Sequence, residues 1–211
     1  MLGIWFDDVH SFEDLNLIRT KVGIPPATAK TNFVDIPGGN GSIDLTEALG
    51  EVKYKDRDCT FTFTVLPSDD FEEKKLEVSN LLNGKRCNIT DDKDPDYYWV
   101  GRCAVNAYAS NKRINQITIR ATVSPYKLKK TATKVTVQPG TAVEVVLWNS
   151  RMTIVPTIVN TADATIVYKG GTYNINAGTH KILNIELVQG GNPLTVTSTG
   201  TVEFTYREGD L

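Results

Sequence analysis

The clearest indication of the fold class is the sequence KTNFVDIPGGNGSIDLTEALGEVKYKDRDCTFTFTVL, residues 30–66. Strand-like residues lie on both sides of the glycine-rich turn at residues 38–41, where glycine supplies the positive φ angles that tight turns require. Residues 60–66 then alternate, so that Phe61 and Phe63 share one face of a strand. The stretch contains no nucleophile with a base, no metal-ligand set and no phosphate-binding loop, since no Lys-Ser/Thr follows its glycines. It therefore predicts β-structure that is built into something larger.

A second alternating segment, residues 115–123 (NQITIRATV), places four residues on one face: Ile117, Ile119, Ala121 and Val123. A period of two over this length is typical of half-buried strands in antiparallel sheets. Most of the remaining chain consists of short strand-like runs separated by Gly, Pro, Asn and Asp. The chain is therefore predicted to be mainly β.

One segment, SDDFEEKKLEVSNLLNGKR, breaks this pattern and predicts an amphipathic helix. Its inner face has helical spacing and comprises Phe71, Lys75, Val78, Leu81 and Leu82. Ser68 or Asp69 is expected to cap the N-terminus, and acidic residues fill the first turn. Asn83-Gly84 is expected to end the helix. We expect this helix to lie across a sheet.

The composition is that of an ordinary globular protein. The chain has 211 residues, with 40% hydrophobic and 23% charged residues, and its 25 acidic and 23 basic residues give a formal charge of −2. This length allows one large domain or two modest ones. The balanced charge provides no general attraction to nucleic acid or to an anionic membrane surface. Sequence-specific nucleic-acid binding and membrane association are therefore not expected.

Cysteine usage and the N-terminus indicate the compartment. Cys59, Cys87 and Cys103 are odd in number and lack Cys-x-x-Cys spacing, so neither a disulfide framework nor a zinc site is expected. The opening MLGIWFDDVH has acidic residues where a secretory signal has basic ones, and its apolar run is too short. No apolar stretch is long enough to span a bilayer. Synthesis in the cytoplasm is the expectation.

A change in composition near Tyr126 predicts two domains, residues 1–128 and 129–211. The second segment is rich in Val, Thr, Ile, Asn and Gly, and turn signals recur in it at short intervals. Several short strands between such turns, without a helical stretch, predict a compact β-sandwich.

The two histidines do not predict catalysis. His10 has Ser11 beside it and Asp7 and Asp8 nearby, but adjacent residues of a strand point to opposite faces. No Gly-x-Ser-x-Gly turn is present either. His180 has no second ligand-type residue at metal spacing and is expected to be a surface or hydrogen-bonded histidine. The chain is predicted to have no catalytic residues and not to be an enzyme.

Four carboxylates gather in the segment DDKDPD, residues 91–96, a composition that attracts Ca²⁺. The segment lacks the central glycine and the distal glutamate of an EF-hand loop, and Lys93 neutralises part of its charge. A solvated hairpin tip is the favoured interpretation. No metal site and no cofactor are predicted.

Aromatic residues in the second domain leave two interpretations open. Trp148 and Tyr173 are candidates for stacking on the C–H face of a sugar, while aromatics that alternate in strands more often belong to a core. Neither interpretation defines a sugar site.

Three blocks of sequence, taken in order, resemble the distal tail (Dit) proteins of bacteriophages and prophages with long, non-contractile tails. The first is residues 3–15 (GIWFDDVHSFEDL), and the second is the stretch from residue 30, with Ile36-Pro37-Gly38, Asp44-Leu45-Thr46 and Leu49-Gly50. The third comprises Pro156-Thr157-Ile158, Gly190-Gly191-Asn192 and residues 200–211 (GTVEFTYREGDL). Each block is short, but together they span nearly the whole chain.

The resemblance implies a structural role in a virion tail. Members of this family have an N-terminal β-rich domain, a β-sandwich with one flanking α-helix and a hairpin, followed by a C-terminal galectin-like, jelly-roll-type β-sandwich. Six N-terminal domains form a ring with a central channel for DNA. The implied partners are the tail-tube protein, the tape-measure protein, the tail-tip hub and a receptor-binding protein. A galectin-like fold does not by itself confer sugar binding.

Two departures from the family pattern qualify this resemblance. Gly39 stands where the family often has a larger or basic residue, and the chain lacks room for the inserted carbohydrate-binding modules of longer members. For a ring, we expect residues 31–64 and the hairpin at residues 91–99 to contribute, and the lumen to be near-neutral or acidic. The alternative is an adhesion module that binds host cell-wall polysaccharide through Trp148 or Tyr173.

Overall fold

The computed structural model describes residues 1–48, 50–66, 69–111 and 114–211. The chain divides into two compact units, Met1–Lys127 together with Leu211 (unit 1) and Leu128–Asp210 (unit 2). Antiparallel strands are the main regular structure of both units, which confirms the prediction of a mainly β fold. Within these described ranges, no helix combines the length and hydrophobicity needed to cross a membrane.

Unit 1 is built on one large antiparallel sheet. Its described elements are β1 (Ile4–Phe6), β2 (Val9–His10), β3 (Leu17–Gly23), β4 (Phe33–Asp35), β5 (Ser42–Asp44), β6 (Arg57–Val65), α1 (Phe71–Leu82), β7 (Arg86–Asp91), β8 (Tyr97–Ser110) and β9 (Asn115–Val123). Seven of these strands follow the order β2-β1-β7-β8-β9-β6-β3, and β4 and β5 form a separate two-stranded hairpin.

The large sheet curls so that strands distant in its order pack face to face. The Phe6 ring on β1 lies 5.9 Å from the Phe61 ring and 6.4 Å from the Phe63 ring on β6, centroid to centroid. The alternating residues predicted on β6 and β9 are buried in this core. Each buried aromatic or aliphatic side chain contributes about 1.5–3 kcal/mol. The two layers of unit 1 thus come from one continuous sheet.

Helix α1 lies where the sequence predicts it, but a different residue caps it. Asp70 Oδ1 accepts hydrogen bonds from the amides of Glu72 (2.8 Å) and Glu73 (3.0 Å). The expectation of Asp69 as the cap is wrong, and Ser68 lies outside the described residues. Several adjacent residues are able to cap the helix, so the sequence does not determine at which of them the helix begins. The burial of Val78 and Leu82 against the sheet determines it.

The C-terminal end of α1 matches the prediction. The Asn83 amide donates to the Ser79 carbonyl oxygen. Gly84 follows with a φ of +78°, a left-handed conformation that a side chain would strain. The glycine therefore allows the chain to turn directly into β7.

Unit 2 is a β-sandwich, as predicted. Its strands are β11 (Thr133–Val137), β12 (Gly140–Asn149), β13 (Thr157–Asn160), β14 (Ala164–Tyr168), β15 (Gly171–Ile175), β16 (Gly178–His180), β17 (Gly190–Ser198), β18 (Val202–Tyr206) and β19 (Gly209–Asp210). β10 (Lys127–Lys129) precedes them at the boundary and pairs with β19. One sheet has the order β11-β18-β13-β16 and the other the order β12-β17-β14-β15.

A buried asparagine organises one end of this sandwich. Asn192 is 1% exposed, and its Oδ1 accepts from the Val188 amide at 3.0 Å. Its Nδ2 donates to the carbonyl oxygens of Val188 (2.8 Å), Gly190 (3.1 Å) and Leu147 (3.2 Å). Because buried backbone groups need partners, this one side chain satisfies several of them at once.

Candidate functional site

The most exposed apolar segment of unit 1 is the connection between β3 and β6, residues 24–56, which we call the arm. All six strand residues of its β4–β5 hairpin are exposed. Five large hydrophobic side chains of the arm lie on the surface: Phe33, Val34, Ile36, Ile43 and Leu45. Arm residues are absent from both hydrophobic clusters of the described residues, apart from Ile24 at its start, which packs against the core of unit 1.

The strand pairing of the arm gives its hairpin two faces. Val34 lies opposite Ile43, while Phe33 lies opposite Asp44 and Asp35 lies opposite Ser42. Directly opposite residues of an antiparallel pair point to the same side. One side therefore carries Val34 and Ile43, and we call it the apolar face of the arm. The other side carries the polar strand residues together with Phe33.

Hydrogen bonds hold the shape of the arm without a core beneath it. The Ser42 hydroxyl donates to Asp35 Oδ1 (2.8 Å), and the Leu45 amide donates to the Asn32 carbonyl oxygen (2.8 Å). The Thr46 amide donates to Asp44 Oδ1 at 2.9 Å, and hydrogen bonds from Thr46 lower the pKa of Asp44. The predicted glycine turn between β4 and β5 is also present, with positive φ angles at Gly38 and Gly41.

The two chains of the arm are hydrogen bonded to each other near its base. The Lys30 amide donates to the Lys53 carbonyl oxygen at 2.7 Å, and the Lys55 amide donates to the Thr28 carbonyl oxygen at 2.8 Å. A two-stranded hairpin is marginally stable in water without a hydrophobic surface to pack on. Clustered exposed apolar side chains mark an interaction surface. The arm is therefore the strongest candidate for a contact with another protein chain.

A second polar cluster joins the N-terminal strand to the β7–β8 hairpin. Asp92 accepts from the Gly3 amide (2.6 Å) and from Trp5 Nε1 (2.9 Å), and its Oδ2 lies 3.1 Å from His10 Nε2. Burial raises the pKa of Asp92, but the hydrogen bonds from Gly3, His10 and Trp5 outweigh it and hold this pKa below its ordinary value. Sequence inspection missed this cluster because its members are 82 to 89 residues apart.

Two other carboxylates of the β7–β8 hairpin also have partners. Asp91 is buried and forms an ion pair with Arg19, and Asp94 pairs with Lys127 Nζ at 2.6 Å. The segment does form a hairpin tip, but the expectation that it is solvated is wrong for Asp91 and Asp92. Among the described residues, no group of three or more His, Cys, Asp or Glu side chains is placed to hold a metal ion.

His10 and Ser11 form hydrogen bonds with the backbone of neighbouring segments. His10 is 1% exposed, and its Nδ1 accepts from the Glu13 amide at 3.2 Å. The Ser11 hydroxyl oxygen accepts from the Ile4 amide at 2.9 Å. The Asp7 carboxylate, suggested by the sequence as a possible partner, instead accepts from the Asn88 amide. These bonds tie the first turn of the chain to β1.

The three cysteines are buried free thiols in the core of unit 1. Burial raises the pKa of the Cys59 thiol to about 11 and raises the pKa of Cys103 as well. Thiols in such surroundings stay protonated and unreactive near neutral pH.

Removal of the Asp92 carboxylate is expected to change the acid stability of the protein. The folded-state pKa is lower than the unfolded value of about 3.9, so this stabilisation is complete above that value and is lost as pH falls through the folded pKa. Asp92→Ala should lower the free energy of unfolding by roughly 2–4 kcal/mol at pH 7, because three donors lose their acceptor. The free energy of unfolding of this variant should also decrease less than that of the wild type as the pH falls below about 4.

Urea unfolding of wild type and variant between pH 2.5 and 7 measures both effects. Asp96→Ala serves as the control, since Asp96 is an exposed carboxylate in the same hairpin tip. An Asp92→Ala curve parallel to that of the wild type over the acid range would contradict the expectation.

Gly3 is expected to tolerate no side chain. A Cβ atom at this position would lie 2.2 Å from His10 Nε2 and 2.8 Å from Ser11 Oγ. Gly3→Ala should destabilise the protein by about 1–3 kcal/mol through overpacking. Gly23→Ala is the matched control, because its nearest neighbour would lie at an ordinary 3.8 Å. Equal stability of the two variants in thermal unfolding would refute the tight packing of Gly3 on His10.

The two predicted sugar-stacking residues lie on one sheet but are not brought together. Trp148, on the edge strand β12, is 68% exposed, and its indole lies over Gly191. Tyr173, on the opposite edge strand β15, pairs with the buried Ile166 and packs against the core of unit 2. The two rings therefore belong to opposite faces of the sheet. His180 Nε2 is hydrogen bonded to the Asn176 carbonyl oxygen at 2.8 Å.

Comparison with known proteins finds a likeness in structure. The chain is similar to the SPP1 Dit (gp 19.1) protein, which is described as a paradigm of the hub adsorption apparatus in phages that infect Gram-positive bacteria. The TM-score is 0.72 with 15% sequence identity, and the match covers 100% of both chains. No protein-family model and no curated protein matches the chain. The chain thus shares the fold of SPP1 Dit over its entire length.

Proposed function

We propose that this chain is a distal tail protein of a phage or prophage with a long, non-contractile tail. It acts as a structural adaptor that assembles into a ring between the tail tube and the tail tip. Two lines of support converge on this role. The sequence blocks at residues 3–15, 30–66 and 200–211 resemble that family, and the fold matches SPP1 Dit over its full length.

The exposed arm carries the assembly part of the proposal. An apolar face held away from its own core needs a partner surface, and a second copy of the chain is always available to an assembling protein. The arm is attached to the rest of unit 1 at one place and would contact a different surface of the next copy. Such a contact between two different surfaces is heterologous. Heterologous contacts that close generate rings. The arm thus links neighbouring protomers.

The partners and location follow from this role. The protomer would sit in the virion tail, in contact with the tail-tube protein, the tape-measure protein, the tail-tip hub and a receptor-binding protein. The ring would surround a channel through which DNA passes. The formal charge of −2 is consistent with a lumen that does not retain DNA. The role requires neither a catalytic residue nor a cofactor.

Size measurement tests the ring directly. Light scattering coupled to size exclusion should give about 140 kDa for a hexamer, six times the 23.3 kDa of one chain. Negative-stain imaging of the same fraction should show rings with a central hole. A protein that stays monomeric both alone and with its tail-tube protein would refute the proposal.

The alternative of a carbohydrate-binding module through Trp148 or Tyr173 receives less support. Tyr173 packs against the core of unit 2 and lies on the face of the sheet opposite to Trp148. Trp148 alone keeps the exposure that such a role requires. Loss of glycan binding on Trp148→Ala, measured with the full chain, would favour this alternative.

A further inference from the structure

A groove lies at the end of unit 2 opposite to Trp148. It has a volume of about 690 Å³ and is lined by the first residues of β12 and β14 and the last residues of β15 and β17. Along β12, Gly140 and Trp148 are separated by roughly 25 Å at the rise of an extended strand. Small-ligand sites typically have volumes of about 300–1,000 Å³. The groove has the size of a binding site, and paired strands fix its walls.

The lining is rich in hydroxyl and amide groups. Thr141, Thr165, Asn174 and Thr197 contribute neutral polar side chains, and Asp163 contributes one carboxylate. Lys, Arg and His are absent from the described lining, which therefore offers nothing to neutralise a phosphate or another anion. Hydroxyl groups of a sugar both donate and accept, and neutral side chains with both capacities complement them. The chemistry of the groove thus favours a neutral polyol.

The polar groups of the groove are held in place before any ligand arrives. The Thr165 hydroxyl donates to Asn174 Oδ1 at 2.8 Å, so the Asn174 amide N–H bonds, which no described residue accepts, are available to a ligand. The Ala177 amide donates to Asp163 Oδ1 at 3.1 Å, which orients this carboxylate. Side chains that are already ordered lose little entropy on binding.

An irregularity in β12 shapes the rim of the groove. The register of β12 against β17 shifts between Gly140 and Val143, and Ala142 has a φ of +51°. The Ala142 amide donates to Thr197 Oγ1 at 2.9 Å, which leaves the Thr197 hydroxyl hydrogen to donate elsewhere. Bulges and strained non-glycine residues are concentrated next to binding sites.

We propose that this groove binds a neutral oligosaccharide. The Asn174 amide donates to one sugar hydroxyl, and Asp163 accepts from another. A single site with so few hydrogen bonds binds in the millimolar range. If the chain forms the ring proposed above, several copies of the groove act together and raise the avidity. The intrinsic binding does not depend on that ring.

Amide-resolved NMR titration of the ¹⁵N-labelled full chain tests the proposal. The probes are hexasaccharides of glucose, of N-acetylglucosamine and of galactose, with hyaluronan as an anionic control. At least one neutral probe should cause saturable shifts of the Thr165 and Asn174 amides, and hyaluronan should not. Asn174→Ala should weaken binding by about tenfold, the effect of about 1.4 kcal/mol. Trp148→Ala should leave it unchanged.

The possible outcomes separate the candidate sites. Absence of shifts with all three neutral probes would overturn the groove as a glycan site. Shifts centred on Trp148 and abolished by Trp148→Ala would overturn it in favour of the exposed indole. Neither result bears on the ring, which is measured by particle size.

Discussion

Replacing Val34 and Ile43 of the arm by serine is expected to abolish ring formation while leaving the protomer folded. Both side chains lie on the apolar face, opposite each other across the hairpin. Burial of each contributes about 1.5–3 kcal/mol to a contact, so the double variant should weaken each contact roughly a hundredfold or more. A closed ring repeats its contact at every interface, so the loss is multiplied. Light scattering should then detect a monomer.

The stability of the same variant provides the first control. Because Val34 and Ile43 are exposed in the protomer, their replacement should change the unfolding free energy by less than about 0.5 kcal/mol. A matched variant, Asp35→Asn, alters the opposite face of the hairpin, keeps an oxygen that accepts from the Ser42 hydroxyl, and should preserve the ring. Rings of normal size formed by the serine variant would exclude the apolar face from the contact.

Asn192→Ala is expected to cause the largest loss of stability among these substitutions. It leaves the Val188 amide and the carbonyl oxygens of Leu147, Val188 and Gly190 without their side-chain partner in a buried place. An unsatisfied buried group costs about 1 kcal/mol or more, so the four groups together should cost roughly 4 kcal/mol or more. A small domain loses about 4–8 °C of Tm per kcal/mol. The Tm should therefore fall by more than about 10 °C.

Two further variants sharpen this result. Asn192→Asp should be at least as destabilising, because a carboxylate donates to none of the three carbonyl oxygens. Asn174→Ala removes an exposed amide from the same sandwich and should change stability by less than about 0.5 kcal/mol. A Tm for Asn192→Ala within a few degrees of the wild type would show that water replaces the asparagine.

The parts of the fold that the sequence predicted depend on neighbouring residues. The alternation in β6 and β9 and the spacing of α1 are local patterns, and each matches the face that is buried. The capping residue of α1 was mispredicted because packing against the sheet determines at which residue the helix begins. The carboxylates of the β7–β8 hairpin were expected in solvent because their partners, such as Arg19 and His10, are remote in sequence.

The candidate sites show the same division. Trp148 and Tyr173 are aromatic residues of strands, and only the sheet register places one on the surface and the other towards the core. The groove of unit 2 was missed entirely, since it combines the ends of β15 and β17 with the starts of β12 and β14. No local motif marks such a combination.

Local sequence patterns were enough to predict a mainly β protein and a glycine turn between β4 and β5, because strand alternation and turn chemistry depend on a few neighbouring residues. The position of this hairpin apart from the core, with Val34 and Ile43 in solvent, follows from the folded structure alone. Apolar strand residues give the same sequence pattern whether they face a core or a partner protein. Burial depends on pairings between distant segments, and those pairings exist only in the folded chain.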